Sequence, residues 1–170
     1  IHTVIFDNKK RGELLVAKEI KKLIEKNNKK RKKTVLGLAT GSSPKGIYKI
    51  LIDFHKNENL SFKNIITFNL DEYYGLKKDH NQSYHKFMND NLFDHVDIDV
   101  KNINIPDGKI DKKSIDNHCK DYEKKIKSSG GIDIQLLGIG ANGHIGFNEP
   151  GSNINSITRL VKLDYQTRKD

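Results

Sequence analysis

Three apolar runs, residues 34–39 (TVLGLA), 64–70 (NIITFNL) and 132–140 (IDIQLLGIG), each break into a polar turn containing glycine, and amphipathic helical patterns lie between them. Largely apolar runs of this length suit strands covered on both faces, and strands alternating with helices build a mostly parallel sheet. The pattern therefore predicts an α/β fold with helices on both faces of the sheet. Residues 3–6 (TVIF) predict a first strand and residues 103–105 (INI) a short further one. Helical spacing runs from Arg11 through Val16, Ile20, Leu23 and Ile24, and from Pro44 through Ile47, Ile50, Leu51 and Phe54. It recurs at Tyr84, Phe87, Met88 and Leu92, and at Ile115, Cys119, Tyr122 and Ile126, where SSGG (128–131) stops it. At 170 residues with no internal repeat or low-complexity linker, one domain over residues 1–170 is expected.

In such sheets ligands bind beyond the carboxyl ends of the strands, so the turns at 40–43, 71–75 and 138–149 are expected to face one crevice. In the first, TGSS followed by Pro44 can cradle a phosphate with free N–H groups and the positive end of the helix dipole, or can simply start a capped helix. It lacks the GxxxxGK[ST] spacing of a Walker A loop. The second turn ends its strand on Asp71 and Glu72, which strand alternation points to different sides, leaving one of them free for a ligand. A carboxylate at the rim of an apolar strand is partly desolvated and so suited to a general base; a solvated turn that caps the next segment is the alternative. The third turn, GIGANGHIGFNEPG, surrounds His144 and Glu149 with glycines that allow backbone to approach a ligand. Glu149 can orient His144 for proton transfer, while Asn142 hydrogen bonds but cannot titrate.

Composition removes other classes. The net charge of +9 and the KKRKK run (29–33) raise nucleic acid as a partner, but the lysines are spread over the helices and no RNP, zinc-finger or helix-turn-helix pattern accompanies them. A small anionic substrate fits the charge equally well. Cys119 is alone, so there is neither a disulfide framework nor a cysteine-pair metal site, and no HExxH or EF-hand spacing occurs. No apolar run approaches a membrane span and no signal-peptide layout begins the chain, so a cytoplasmic protein without membrane partners is expected. No GxSxG elbow marks a serine hydrolase.

The segments LGLATGSSP, SFKNIITFNLDEYYGL, SYHKFM, LFDHVDI with NINIPDG, and LLGIGANGHIGFNEPGS together resemble the glucosamine-6-phosphate deaminase family over nearly the whole chain. The resemblance implies a Rossmann-like sheet and conversion of glucosamine 6-phosphate and water to fructose 6-phosphate and ammonia, with no metal or organic cofactor. It implies that Asp71 moves a proton between C2 and C1, that His144 with Glu149 and Asn142 opens the sugar ring, and that Thr40, Gly41, Ser42 and Ser43 hold the phosphate. Glu72 and Gly140 are added as substrate contacts, and a homo-oligomer is compatible. Galactosamine-6-phosphate deaminase, a 6-phosphogluconolactonase-like enzyme and a non-catalytic sugar-phosphate binder are the alternatives, with DEYYG and HIGFNEP favouring a deaminase over the lactonase. Three departures stand out: Asn142 replaces an aspartate of some members, Ala39 replaces a common proline, and members continue well past Asp170. The sheet and the phosphate grip are accordingly expected to be incomplete at the C-terminus. The activator site of some members is matched at Ser152 and Arg159, but Val161 replaces a lysine.

Overall fold

Strand β1 (Thr34–Leu38) is buried at all five positions, as a strand covered on both faces must be. It sits inside a four-stranded sheet of order β3-β2-β1-β4, with β2 (Ile65–Asn69), β3 (Ile103–Asn104) and β4 (Ile134–Gln135). Every pairing is parallel, with Thr34 opposite Ile65 and Leu36 opposite Ile134. This computed structural model describes residues 2–165 and 167–168.

Helices α1 (Lys9–Lys29), α2 (Lys45–Glu58) and α3 (Tyr84–Asn91) bury their apolar stripes on one face of the sheet, through Ala17, Ile20, Ile24, Tyr48, Leu51 and Met88. Each large side chain among these contributes about 1.5–3 kcal/mol by leaving water. Helix α4 (Ile115–Ser128) covers the other face, where Tyr122 meets Val35 and Phe68 and the Phe68 and Tyr122 rings stand edge to face at 5.7 Å. The Tyr122 hydroxyl donates to Asn69 O at 2.8 Å and Asn104 O at 3.0 Å, pinning α4 to the carboxyl ends of β2 and β3.

Local signals set the boundaries. Asn8 caps α1 by accepting from Arg11 N, Ser83 caps α3 by accepting from Lys86 N, and α2 ends at Asn59 in the left-handed region (φ 58°). The strand expected at 3–6 is absent: Val4 and Ile5 are 48% and 90% exposed, and the segment has no strand beside it. Its β-branched residues favour extension, but extension becomes a strand only where a neighbour supplies a ladder. The run at 132–140 pairs over Ile134–Gln135 alone, flanked by bonds from Asp133 N to Val35 O and from Leu136 N to Gly37 O.

Candidate active site

Strand β2 delivers the second turn. Leu70 N still reaches Leu38 O, and the chain then leaves the sheet at Asp71. The two adjacent acids part as the strand alternation requires. Asp71 lines a cavity of about 300 Å³ together with Leu70, Phe147 and Asn148. Burial, and secondly the charge of Glu72, push its carboxyl up to about 7.

Glu72 borders the same cavity, but its carboxylate turns inward, with its side chain 2% exposed. One of its oxygens accepts from Tyr73 N (2.8 Å) and Tyr84 N (2.9 Å), the other from His85 N (3.0 Å) and His85 Nδ1 (2.8 Å). Burial raises the pKa of this carboxyl, but the bonds from the His85 ring and from the Tyr84, His85 and Tyr73 amides outweigh it and hold the value below the ordinary one. The expectation of a substrate contact from the Glu72 carboxylate thus meets a side chain fully occupied at the N-terminus of α3. Gly108 makes this turn possible: a Cβ there would lie 2.5 Å from Tyr73 O and 2.8 Å from Leu76 O, and Gly108 O itself accepts from Gly75 N.

The third turn closes on itself through Gly140 N to His144 O and Gly143 N to Gly140 O, both 2.9 Å. A side chain at Gly140 would collide with the His144 ring, whose atoms lie 2.1–2.5 Å from where its Cβ would be. Asn142 stands between His144 and Glu149: its Nδ2 donates to Glu149 Oε2 at 2.9 Å and its Oδ1 lies 2.7 Å from His144 Nδ1. An ionised Glu149 accepts only, which fixes the amide orientation and leaves Oδ1 to accept from the imidazole. In the neutral imidazole this arrangement places the proton on Nδ1 and leaves Nε2 as the acceptor. Asn142 thus orients the His144 ring, and Glu149 reaches it through Asn142. The Glu149 carboxyl is held below its ordinary value by hydrogen bonds from the Thr167 hydroxyl, Asn142 and Asp164 N.

Aromatic rings join the turns. Phe147, from the third, lies 5.0 Å from the Tyr73 ring and 5.7 Å from Tyr84, and those two tyrosines are 4.9 Å apart. Gly146 (φ 58°) comes so close that a Cβ there would be 3.3 Å from Asp71 Oδ2. The Tyr84 hydroxyl also feels the Thr40 side chain and the charge of Asp71, so it links the first turn to the second. Tyr84, His85 and Phe147 escaped sequence reasoning as site residues. The capped SYHK start of α3 is the local signal that places the first two at the turn.

In the first turn Gly41, Ser42 and Ser43 are exposed, and α2 begins without a side-chain cap. Lys9 Nζ reaches the Ser42 carbonyl at 3.4 Å. The turns touch but do not share one cavity: Asn142 and Glu149 open on a separate space of about 600 Å³, beside Lys162 and Arg168. Among the described residues no cluster of three or more His, Cys, Asp or Glu could hold a metal ion, and no helix is long and apolar enough to cross a membrane.

Comparison with known proteins gives this geometry a context. The family described as glucosamine-6-phosphate isomerases/6-phosphogluconolactonase matches residues 8–152. A glucosamine-6-phosphate deaminase of Clostridium botulinum (strain Loch Maree / Type A3) is 57% identical over 134 residues, 79% of this chain and 54% of that protein. One from Clostridium novyi (strain NT) is 52% identical over 152 residues, 89% of this chain and 62% of that protein. The chain thus spans little more than half the length of these curated relatives. A solved structure of a monomeric glucosamine-6-phosphate deaminase superposes with a TM-score of 0.93 at 44% identity, covering 99% of this chain and 68% of its own. A 6-phosphogluconolactonase from Thermotoga maritima superposes with a TM-score of 0.66 at 27% identity, covering 79% of this chain and 58% of its own.

Proposed function

The chain belongs to the glucosamine-6-phosphate isomerase/6-phosphogluconolactonase family, and from that premise we propose that the whole protein converts glucosamine 6-phosphate and water to fructose 6-phosphate and ammonia. The observation that carries the proposal is Asp71, a carboxyl raised to about 7 beside the glycine loop that holds His144. A base poised near the working pH is what abstraction of a weakly acidic proton beside a carbonyl needs, and such catalysis typically contributes about 10²–10⁴ in rate.

His144 Nε2 takes the proton of the C1 hydroxyl and delivers it to the ring oxygen as the C1–O5 bond breaks and the C1 carbonyl forms, which opens the pyranose, with Asn142 and Glu149 holding the imidazole in the required tautomer. Asp71 then takes the C2 proton and returns it to C1. The enaminol between these steps, with a hydroxyl on C1 and the amino group on C2, becomes an imine at C2 as C1 is protonated, water adds there, and ammonia leaves to give the ketose. Thr40, Gly41, Ser42 and Ser43 hold the phosphate at the start of α2. Gly140 gives the backbone close access to the sugar, and Glu72 serves the site through its neighbours. A cytoplasmic location and a homo-oligomeric state belong to the same proposal, and light scattering of the whole protein tests the second.

The deciding experiment measures ammonia release by the whole protein from glucosamine 6-phosphate and galactosamine 6-phosphate, alongside lactone hydrolysis of 6-phosphogluconolactone. Ammonia from glucosamine 6-phosphate that disappears in Asp71→Asn supports the assignment. Turnover by that variant at the parent rate, or lactone hydrolysis alone, refutes it.

A further inference from the structure

Glu72 is a buried charge that no step of the proposed reaction uses. Its four hydrogen bonds go to the turn it belongs to and to the first two residues of α3. A capping carboxylate normally comes from the residues next to a helix start; this one arrives from 12 and 13 positions upstream, while Ser83 caps the helix locally through Lys86 N. The duplication needs a reason beyond helix stability. Tyr84, the residue Glu72 seizes, is the one whose ring meets Tyr73 and Phe147 and whose hydroxyl meets Thr40. All three turns therefore converge on a side chain whose backbone Glu72 fixes. We propose that Glu72 is a positioning residue: it staples the Asp71 turn to α3, and through Tyr84 and Phe147 it sets where the His144 loop lies relative to Asp71.

The same carboxylate acts electrostatically. Held ionised by its hydrogen bonds, it sits next to Asp71 and disfavours a second negative charge there. The ionisable groups around Glu72 are Asp71 and Tyr73 on its own turn, Tyr84 and His85 on α3, and Asp107 beside Gly108, whose Cβ position is 3.3 Å from Glu72 Cγ. Asp71 in turn feels Tyr84 and Tyr122 and shares its cavity with Asp107, His118, Glu123 and Arg159.

Two substitutions in the whole protein test the charge and the staple. Glu72→Gln keeps the length, removes the charge and replaces one accepting oxygen with a donor, so one of its two pairs of bonds is lost as well; Glu72→Asp is too short to reach the Tyr84 and His85 amides. NMR titration of the Asp71 carboxyl should show a fall of about one unit in Glu72→Gln, which loses the neighbouring negative charge. Amide exchange at Tyr84 and His85 should quicken at least about tenfold in Glu72→Asp, which corresponds to about 1.4 kcal/mol of lost protection, while amides of β1 and β2 keep parent rates. An Asp71 titration unmoved in Glu72→Gln, or α3 amides exchanging at the parent rate in Glu72→Asp, overturns the proposal. The positioning role rests on the deaminase assignment, but these readouts need no substrate. A parent enzyme that releases no ammonia would sink that assignment and leave them readable, and where it is active, kcat should fall in both variants with KM little changed.

Discussion

Replacing Asp71 with asparagine should silence the enzyme and make the protein more stable above neutral pH. Burial and then the charge of Glu72 raise its carboxyl from 3.8 to about 7 on folding. An acid raised in this way binds more protons folded than unfolded, so its contribution to stability is full at low pH and is lost as the pH climbs from about 4 to about 7. The complete loss corresponds to roughly 4 kcal/mol at about 1.4 kcal/mol per pH unit. Asp71 is only partly buried, and solvent screening lowers the figure to about 2 kcal/mol. Asparagine imitates the neutral acid in shape and escapes the loss. Thermal unfolding of parent and Asp71→Asn at pH 4 and pH 8 reads this directly. The variant should melt within about one degree of the parent at pH 4 and roughly 4–8 °C above it at pH 8. A difference of the same size at both pH values would mean that folding does not destabilise the Asp71 carboxylate, and the physical basis for calling it the base would go with it.

Other expectations can be checked on the same protein. His144→Gln should lower kcat by about 10²–10⁴ and remove one titration from the pH–rate profile; an unchanged profile refutes the ring-opening role. Gly108→Ala places a methyl 2.5 Å from Tyr73 O and 2.8 Å from Leu76 O. It should cost about 1–3 kcal/mol in urea unfolding and reduce kcat by displacing the Asp71 turn. Tyr122→Phe strips a donor from the carbonyls of Asn69 and Asn104 and should destabilise by about 1–3 kcal/mol in the same assay.

What could be read ahead of the structure follows from how far each signal reaches along the chain. Strands β1 and β2 and the stripes of α2 and α4 are legible because apolar periodicity reports burial residue by residue. Residues 3–6 carry the composition of a strand, but pairing is a property of the neighbour, and Ile5 at 90% exposure has none. The division of labour between Asp71 and Glu72 was half legible: alternation says they part, while the destination of Glu72, amides 12 and 13 residues away, depends on where α3 packs. That Asn142 can orient His144 was legible; its bond on to Glu149 was hidden for a similar reason. Its two partners at positions 144 and 149 meet it only once the glycine loop has folded back.

The stack of Tyr73, Tyr84 and Phe147 also makes the site optically visible. These 170 residues hold six tyrosines and no tryptophan, so the near-ultraviolet circular dichroism of this chain comes from phenol rings and phenylalanines without indole bands over them. Two phenols 4.9 Å apart in a fixed, tilted arrangement form a chiral pair whose signal depends on their mutual angle of 50°. Because the loop bearing His144 rests on that pair through Phe147, any ligand that lifts or tightens the loop writes its movement into the spectrum, and the protein needs no added label to report it.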